Sequence, residues 1–281
     1  MLIPRYWAKA EQSATAPGGR HFQLRSWGVS PTSRAEAQTD ALERLTAWVR
    51  RIEGGQSPEH RYAYGRSVLR EELLQEILGH AAESIAIVTR NRYGCRVLNA
   101  TRVLFLDVDL PAQKKSGGLL SFFRAKPTPQ AEQTLDRIRQ ALASVPGASF
   151  RLYRTAAGYR VLGTDRLYGP AEPATVALMK AADTDPAFIT LCRVQDCFRA
   201  RLEPKPWRIG LSALAAPFPY RSLEEEASVN AWVVRFEAAA AAAATCQFLE
   251  SHGPNRVHAE VTPVLALHDH ATRCASGLPL A

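Results

Sequence analysis

Hydrophobic positions along the chain recur with two periods, and the switches between them mark out its elements. His21 to Val29 alternates apolar and polar residues, which predicts a half-buried strand, and the residues before it read as its partner. Ser33 with Glu36 three residues on is a capping box. Ala37, Ala41, Leu42, Leu45 and Val49 then keep helical spacing until Arg50, Arg51 and Gly54-Gly55. Residues 1–55 thus read strand, strand, helix. Leu69, Leu73, Leu74 and Ile77 share one helical stripe that ends near Gly79, so a second helix is expected over Arg70–His80. Ser84–Thr89 and Cys95–Leu98 read as the arms of a hairpin whose tip is Arg90-Asn91-Arg92-Tyr93-Gly94.

The run Val103-Leu104-Phe105-Leu106-Asp107-Val108-Asp109-Leu110 is the organising strand. Side chains alternate along a strand, so Asp107 and Asp109 project from one face together with Val103 and Phe105. Two adjacent carboxylates require a cation, a basic residue or water to balance them. Beyond it, Pro129 starts a helix with Leu135, Ile138 and Leu142 on its buried stripe. Ser149–Thr155 and Tyr159–Thr164 form a hairpin around Ala156-Ala157-Gly158. Pro173–Ala182 is a helix, and Cys197–Glu203 a strand that stops at Pro204.

Residues 103–204 therefore run strand, helix, strand, strand, helix, strand. The expected fold class is α+β, with a ferredoxin/RRM-like βαββαβ core. The expected organisation is an N-terminal α/β extension over 1–82, the core over 83–210, and a C-terminal helical segment over 211–281. That last segment reads as one helix from Ser228 through Trp232, Phe236 and the alanine run Ala238–Ala244 to Ser251, and another over Pro263–Ala275. His268-Asp269-His270 in it reads as surface polarity. In such a core the first strand lies between the third and fourth. An open face would then collect Asp107, Asp109, Arg151, Tyr153, Arg160, Arg199, Arg201 and Glu203. Either a phosphate-and-metal surface or a solvated salt-bridge network accounts for that set.

Composition narrows the partners. A net charge of +8 suits an acidic partner such as nucleic acid, nucleotide phosphates or an anionic membrane surface. The five cysteines contain no CxxC pair and read as reduced, buried thiols. The N-terminal residues lack the apolar core of a signal peptide, and Ala238–Ala244 falls far short of the ~20 residues that span a bilayer, so a cytoplasmic protein without a transmembrane segment is expected. The stretch 111–128 combines Lys114, Lys115, Arg124 and Lys126 with Leu119, Leu120, Phe122 and Phe123. It reads as a loop that folds back over the core or engages a membrane surface or protein through residues 114–126.

A strand ending in Asp107-Val108-Asp109 with a βαββαβ continuation resembles the catalytic core of archaeo-eukaryotic primases and primase-polymerases. The resemblance covers about the middle third of the chain. It implies that Asp107 and Asp109 are catalytic and hold Mg²⁺ or Mn²⁺. In that superfamily a small-residue turn precedes a nucleotide-binding histidine. Here Thr155-Ala156-Ala157-Gly158-Tyr159-Arg160 occupies that stretch, and an arginine stands in the histidine's place. Glu203 is the candidate third acidic ligand. The segment Phe198–Arg208 is also similar to one in bacterial proteins to which no activity attaches. Three hypotheses follow: metal-dependent nucleotidyl or phosphoryl transfer, with Arg151, Tyr153, Arg160, Arg199, Arg201, Lys205 and Arg208 on nucleotide or nucleic acid; nucleic-acid binding without chemistry, using also Arg90, Arg92, Tyr93 and Trp207; and an interaction role for residues 114–126.

Overall fold

The computed structural model describes residues 1, 3–55, 69–110 and 129–281. The expectations for 56–68 and for the 111–128 loop lie outside the described residues. Contact density divides the chain near residue 73 into an N-terminal unit and a larger unit that runs to the C-terminus, with residues 211–281 inside the larger one.

The N-terminal unit is the expected strand, strand, helix. β1 (Tyr6–Thr15) and β2 (His21–Ser30) pair antiparallel, and α1 (Arg34–Glu53) buries Ala37, Ala41, Leu45, Val49 and Ile52. Ala10, Ala14 and Leu24 of the hairpin share that apolar cluster. Ser33 caps the helix by accepting the Glu36 amide at 3.2 Å, whereas the Glu36 carboxylate takes the Ser30 hydroxyl at 2.6 Å instead of closing the second half of the box. Gly28 is what allows the close seating: a Cβ there would stand 2.1 Å from the Ala37 carbonyl oxygen.

The larger unit holds β3 (Glu72–Leu78), β4 (Ser84–Arg90), β5 (Arg96–Ala100), β6 (Phe105–Asp109), α2 (Pro129–Ala143), β7 (Phe150–Thr155), β8 (Gly158–Gly163), α3 (Pro173–Ala181), α4 (Pro186–Gln195), β9 (Phe198–Arg201), a 3-10 turn at Pro206–Arg208, α5 (Leu223–Ala240), β10 (Cys246–His252) and α6 (Val261–Thr272). Its strands form two four-stranded sheets, ordered β10-β7-β8-β6 and β3-β4-β5-β9. The architecture is α+β, as expected. β6 does lie beside β8, but β9 hydrogen-bonds to β5 rather than to β6, with Val97 opposite Arg201 and Asn99 opposite Arg199. β6 and β9 run close together at the adjoining edges of the two sheets.

Two other elements differ from the pattern reading. The segment around Leu73 and Ile77 is β3, not a helix. Its spacing satisfies a helical stripe, but Ile77 alone of its strand is buried, and the edge of β4 supplies a ladder that decides the conformation. The alanine-rich helix stops at Ala240 instead of reaching Ser251. Arg273 donates to the carbonyls of Ala240 and Ala243 at its end, and Cys246–His252 turns into an edge strand on β7. Alanine carries no stop signal, so the break comes from the partner strand.

The first sheet is covered on both faces. On one, α2 packs over Leu106, Val108, Leu152 and Val161, and the Tyr159 hydroxyl donates to the Ala131 carbonyl at 3.0 Å. On the other, expected to be open, α6 lays His268 against Phe105 and Tyr153, with ring centroids 5.4 and 4.9 Å apart. Among the described residues no helix is long and apolar enough to cross a membrane.

Candidate nucleotide-phosphate site

Register builds the site. Tyr153 of β7 stands opposite Arg160 of β8, which stands opposite Asp107 of β6, so one row of side chains crosses three strands on a single face. Arg160 is almost fully buried, and its Nε and Nη2 donate to the two Asp107 oxygens at 2.7 and 2.9 Å. Nη1 donates to the Arg201 carbonyl at 2.9 Å and faces His268 Nε2 at 3.4 Å. Burial alone would weaken the guanidinium's hold on its proton, but the charge and hydrogen bonds of Asp107, together with Cys246 and Tyr153, outweigh it and the pKa is raised. Arg160, sitting where the resemblance places a nucleotide-binding histidine, is therefore a buried partner of Asp107.

Behind the pair the row continues as a polar network. His268 Nδ1 lies 2.9 Å from Asp269 Oδ1, the Tyr153 hydroxyl donates to the same oxygen at 2.7 Å, and Arg151 Nη2 reaches Asp269 Oδ2 at 3.0 Å. Arg151 also packs its guanidinium 4.3 Å from the Phe248 ring centroid. Burial and then the Arg160 charge push the His268 pKa down, which leaves a neutral ring able to donate to Asp269 and accept from Arg160. Burial raises the Asp269 pKa, and the His268 and Tyr153 hydrogen bonds together with the nearby positive charge of Arg151 lower it by more, for a net fall. Arg151 and Tyr153 thus brace the face from within and stand outside the cavity lining.

The cavity itself is about 140 Å³ and opens at the end of β6. Asp107, Asp109 and Asp185 line it with Arg160, Arg201 and Lys205. Asp185 caps α4 by accepting the Ala187 amide at 2.9 Å. Asp109 is exposed, and among the described residues no ion pair is formed by it. Arg201 Nε is buried without a hydrogen-bond partner among the described residues. Burial first, then the neighbouring Arg160 charge, lowers the Arg201 pKa, and burial followed by Arg201 and Arg208 lowers that of Lys205. With Asp107 committed to Arg160, Asp109 and Asp185 are the carboxylates that remain in the lining beside Arg201 and Lys205.

Of the residues singled out in the sequence, then, Asp107, Asp109, Arg160, Arg201 and Lys205 meet. Glu203 does not join them: its buried carboxylate accepts the Arg96 backbone N–H at 2.8 Å and Arg96 Nε at 2.5 Å. It points to the β5 side because it follows the strand that pairs there. Arg199 donates to Gln195 at 3.1 Å, and Arg208 lies in the turn beyond the cavity lining. Two contributors escaped the pattern reading. Asp185 carries a signal, an acidic residue immediately before Pro186 at a helix start. His268, expected as surface polarity, is instead fully buried, and its signal is the stripe Val261, Val264, His268 and Thr272 that α6 turns inward.

The donor set suits one kind of metal. Among the described residues no group of three or more His, Cys, Asp or Glu side chains stands at metal-binding distance, so a self-sufficient cage is absent there. Mg²⁺ typically takes one or two carboxylates and completes its shell with substrate phosphates and water. Asp109, with the lone pairs that Arg160 leaves on Asp107, fits that requirement, and Arg201 and Lys205 fit the phosphates. Comparison with protein-family models, curated proteins and solved structures finds no match for the chain.

Proposed function

We propose that the protein binds the polyphosphate of a nucleotide together with Mg²⁺ or Mn²⁺ in the β6 cavity, as a primase-like core suited to nucleotidyl or phosphoryl transfer. The observation that carries this reading is the meeting, in one cavity, of the Asp107/Asp109 pair with Lys205 and with Arg201, whose Nε is buried without a hydrogen-bond partner among the described residues. The carboxylates hold the metal and the cations hold the phosphates, the division of labour that phosphoryl chemistry needs. When bound, the metal withdraws charge from the phosphates. Arg160 fixes the orientation of Asp107, and Arg201 presents a preorganised donor. A second reading keeps the binding and drops the chemistry. It is favoured by the Asp107–Arg160 ion pair, which neutralises one of the two acids.

Calorimetric titration of inorganic tripolyphosphate and of ATP, each with and without Mn²⁺, tests the site. Wild type should bind both probes only with the metal, and Asp109→Asn should weaken that binding at least tenfold. Asp109 is the residue to change because it is exposed and outside the buried network. Equal binding by Asp109→Asn, or binding indifferent to Mn²⁺, overturns the proposal. Turnover of ATP by wild type separates the enzyme from the binding protein.

A further inference from the structure

The turn after β9 and the tip of the β4–β5 hairpin carry an aromatic and basic surface that the cavity does not use. Trp207 is 51% exposed, the Tyr93 ring meets it edge-on with centroids 5.5 Å apart, and Lys205 Nζ lies 5.5 Å from its ring centroid. Arg92 stacks over Tyr93 at 4.8 Å and donates to its hydroxyl at 2.6 Å. The support beneath is closely bonded and packed. Asn91 Oδ1 accepts the amides of Tyr93 and Cys95 at 2.9 and 3.1 Å, closing the hairpin tip. Gly94, at φ +92°, brings that tip so close to α5 that a Cβ would stand 2.3 Å from the Trp232 ring. Trp232 stacks on Phe236 at 4.8 Å and 12°, and both Tyr93 and Ile209, which follows the turn, pack on this cluster. Pro206 is buried and fixes the backbone just before Trp207. A half-exposed indole is thus held outward by anchored backbone on both sides.

We infer that this surface is a stacking platform for the unpaired bases of a single-stranded nucleic acid. Lys205, Arg208 and Arg92 lie along its phosphates. The inference rests on the reading of the cavity, because Lys205 both lines the cavity and sits over Trp207 and so joins the two. Size supports the division. A cavity of about 140 Å³ is smaller than the ~300–1,000 Å³ of pockets that enclose a whole organic ligand, so it takes phosphates and leaves bases outside. Charge selects the partner. The aromatic pair is flanked by cations, the nearby Glu203 is already bound to Arg96, and the chain carries +8 overall. Base-on-aromatic stacking beside basic side chains is the usual recognition of single strands, and a duplex hides the base faces it needs.

The test is fluorescence anisotropy of labelled oligo-dT and oligo-U with the full chain, a DNA duplex of equal length as competitor, and Mn²⁺–tripolyphosphate titrated in parallel. Wild type should bind a single strand in a strongly salt-dependent way, and the duplex should compete poorly. Trp207→Ala should weaken single-strand binding at least tenfold and Trp207→Phe less than threefold, with melting temperatures close to wild type because the side chain is half exposed. Oligo-dU, which differs from oligo-U in the sugar alone, names the sugar by comparison with it. Undiminished binding by Trp207→Ala, equal loss in Trp207→Phe, or a duplex that competes as well as the strand overturns the inference. If tripolyphosphate binds and no oligonucleotide does, the platform falls and the cavity reading stands. If neither class of probe binds, both fall.

Discussion

Asp107→Asn removes one charge from the β6–β8 pair and keeps the side chain's shape. Arg160 is 1% exposed, and Asp107 supplies the full negative charge that its Nε and Nη2 reach, at 2.7 and 2.9 Å. The other groups that its Nη1 meets, the Arg201 carbonyl at 2.9 Å, the neutral His268 ring at 3.4 Å and the Cys246 thiol at 3.7 Å, are dipoles. Losing one partner of a buried ion pair costs about 3–5 kcal/mol. The Asp107 side chain is 35% exposed, so water enters and the amide oxygen still accepts one N–H, which brings the expected loss to about 2–3 kcal/mol. In a unit spanning residues 74–281 this corresponds to a fall in melting temperature of about 5–10 °C. Arg160→Met leaves Asp107 partly hydrated, so adding it to Asp107→Asn should cost less than the two separate losses summed, with a coupling of about 1–3 kcal/mol. Urea unfolding followed by circular dichroism measures the cycle. A Tm for Asp107→Asn within 1 °C of wild type, or strict additivity in the double variant, would refute the idea that Arg160 depends on Asp107 for its charge balance.

Two further expectations concern the same region. The pKa of buried His268 lies below the ordinary 6.5, so the unfolded chain takes up the proton first as pH falls. The resulting stability is complete above about pH 6.5 and declines below it, by at most ~1.4 kcal/mol per pH unit until the folded pKa is reached. His268→Gln should flatten the melting temperature between pH 6.5 and 5.5, and an unchanged slope would discard the assignment. Glu203→Gln should cost about 2–3 kcal/mol, because the buried carboxylate holds both Arg96 groups, while leaving Mn²⁺–tripolyphosphate binding as in wild type. Loss of that binding in a folded Glu203→Gln protein would restore Glu203 as a metal ligand.

What the linear pattern determines here is local. Caps, turns and periodicity place α1, the β4–β5 hairpin, β6, α2 and the β7–β8 hairpin, because each depends on neighbours a few residues away. The alternation in β6 also determines that Asp107 and Asp109 share a face. Register and coverage are not local. β9 joins β5 and β10 joins β7 through ladders formed across long stretches of chain, and no short window carries that choice. The same holds for what covers the face. Only when α6 docks does His268 enter the row behind Arg160, which turns an arginine suited to phosphate into the buried partner of Asp107. An acid pair is thus legible in the chain itself. Which of its neighbours neutralise it, and which remain for a ligand, depends on burial, since desolvation and pairing exist only once the strands and the helix have come together.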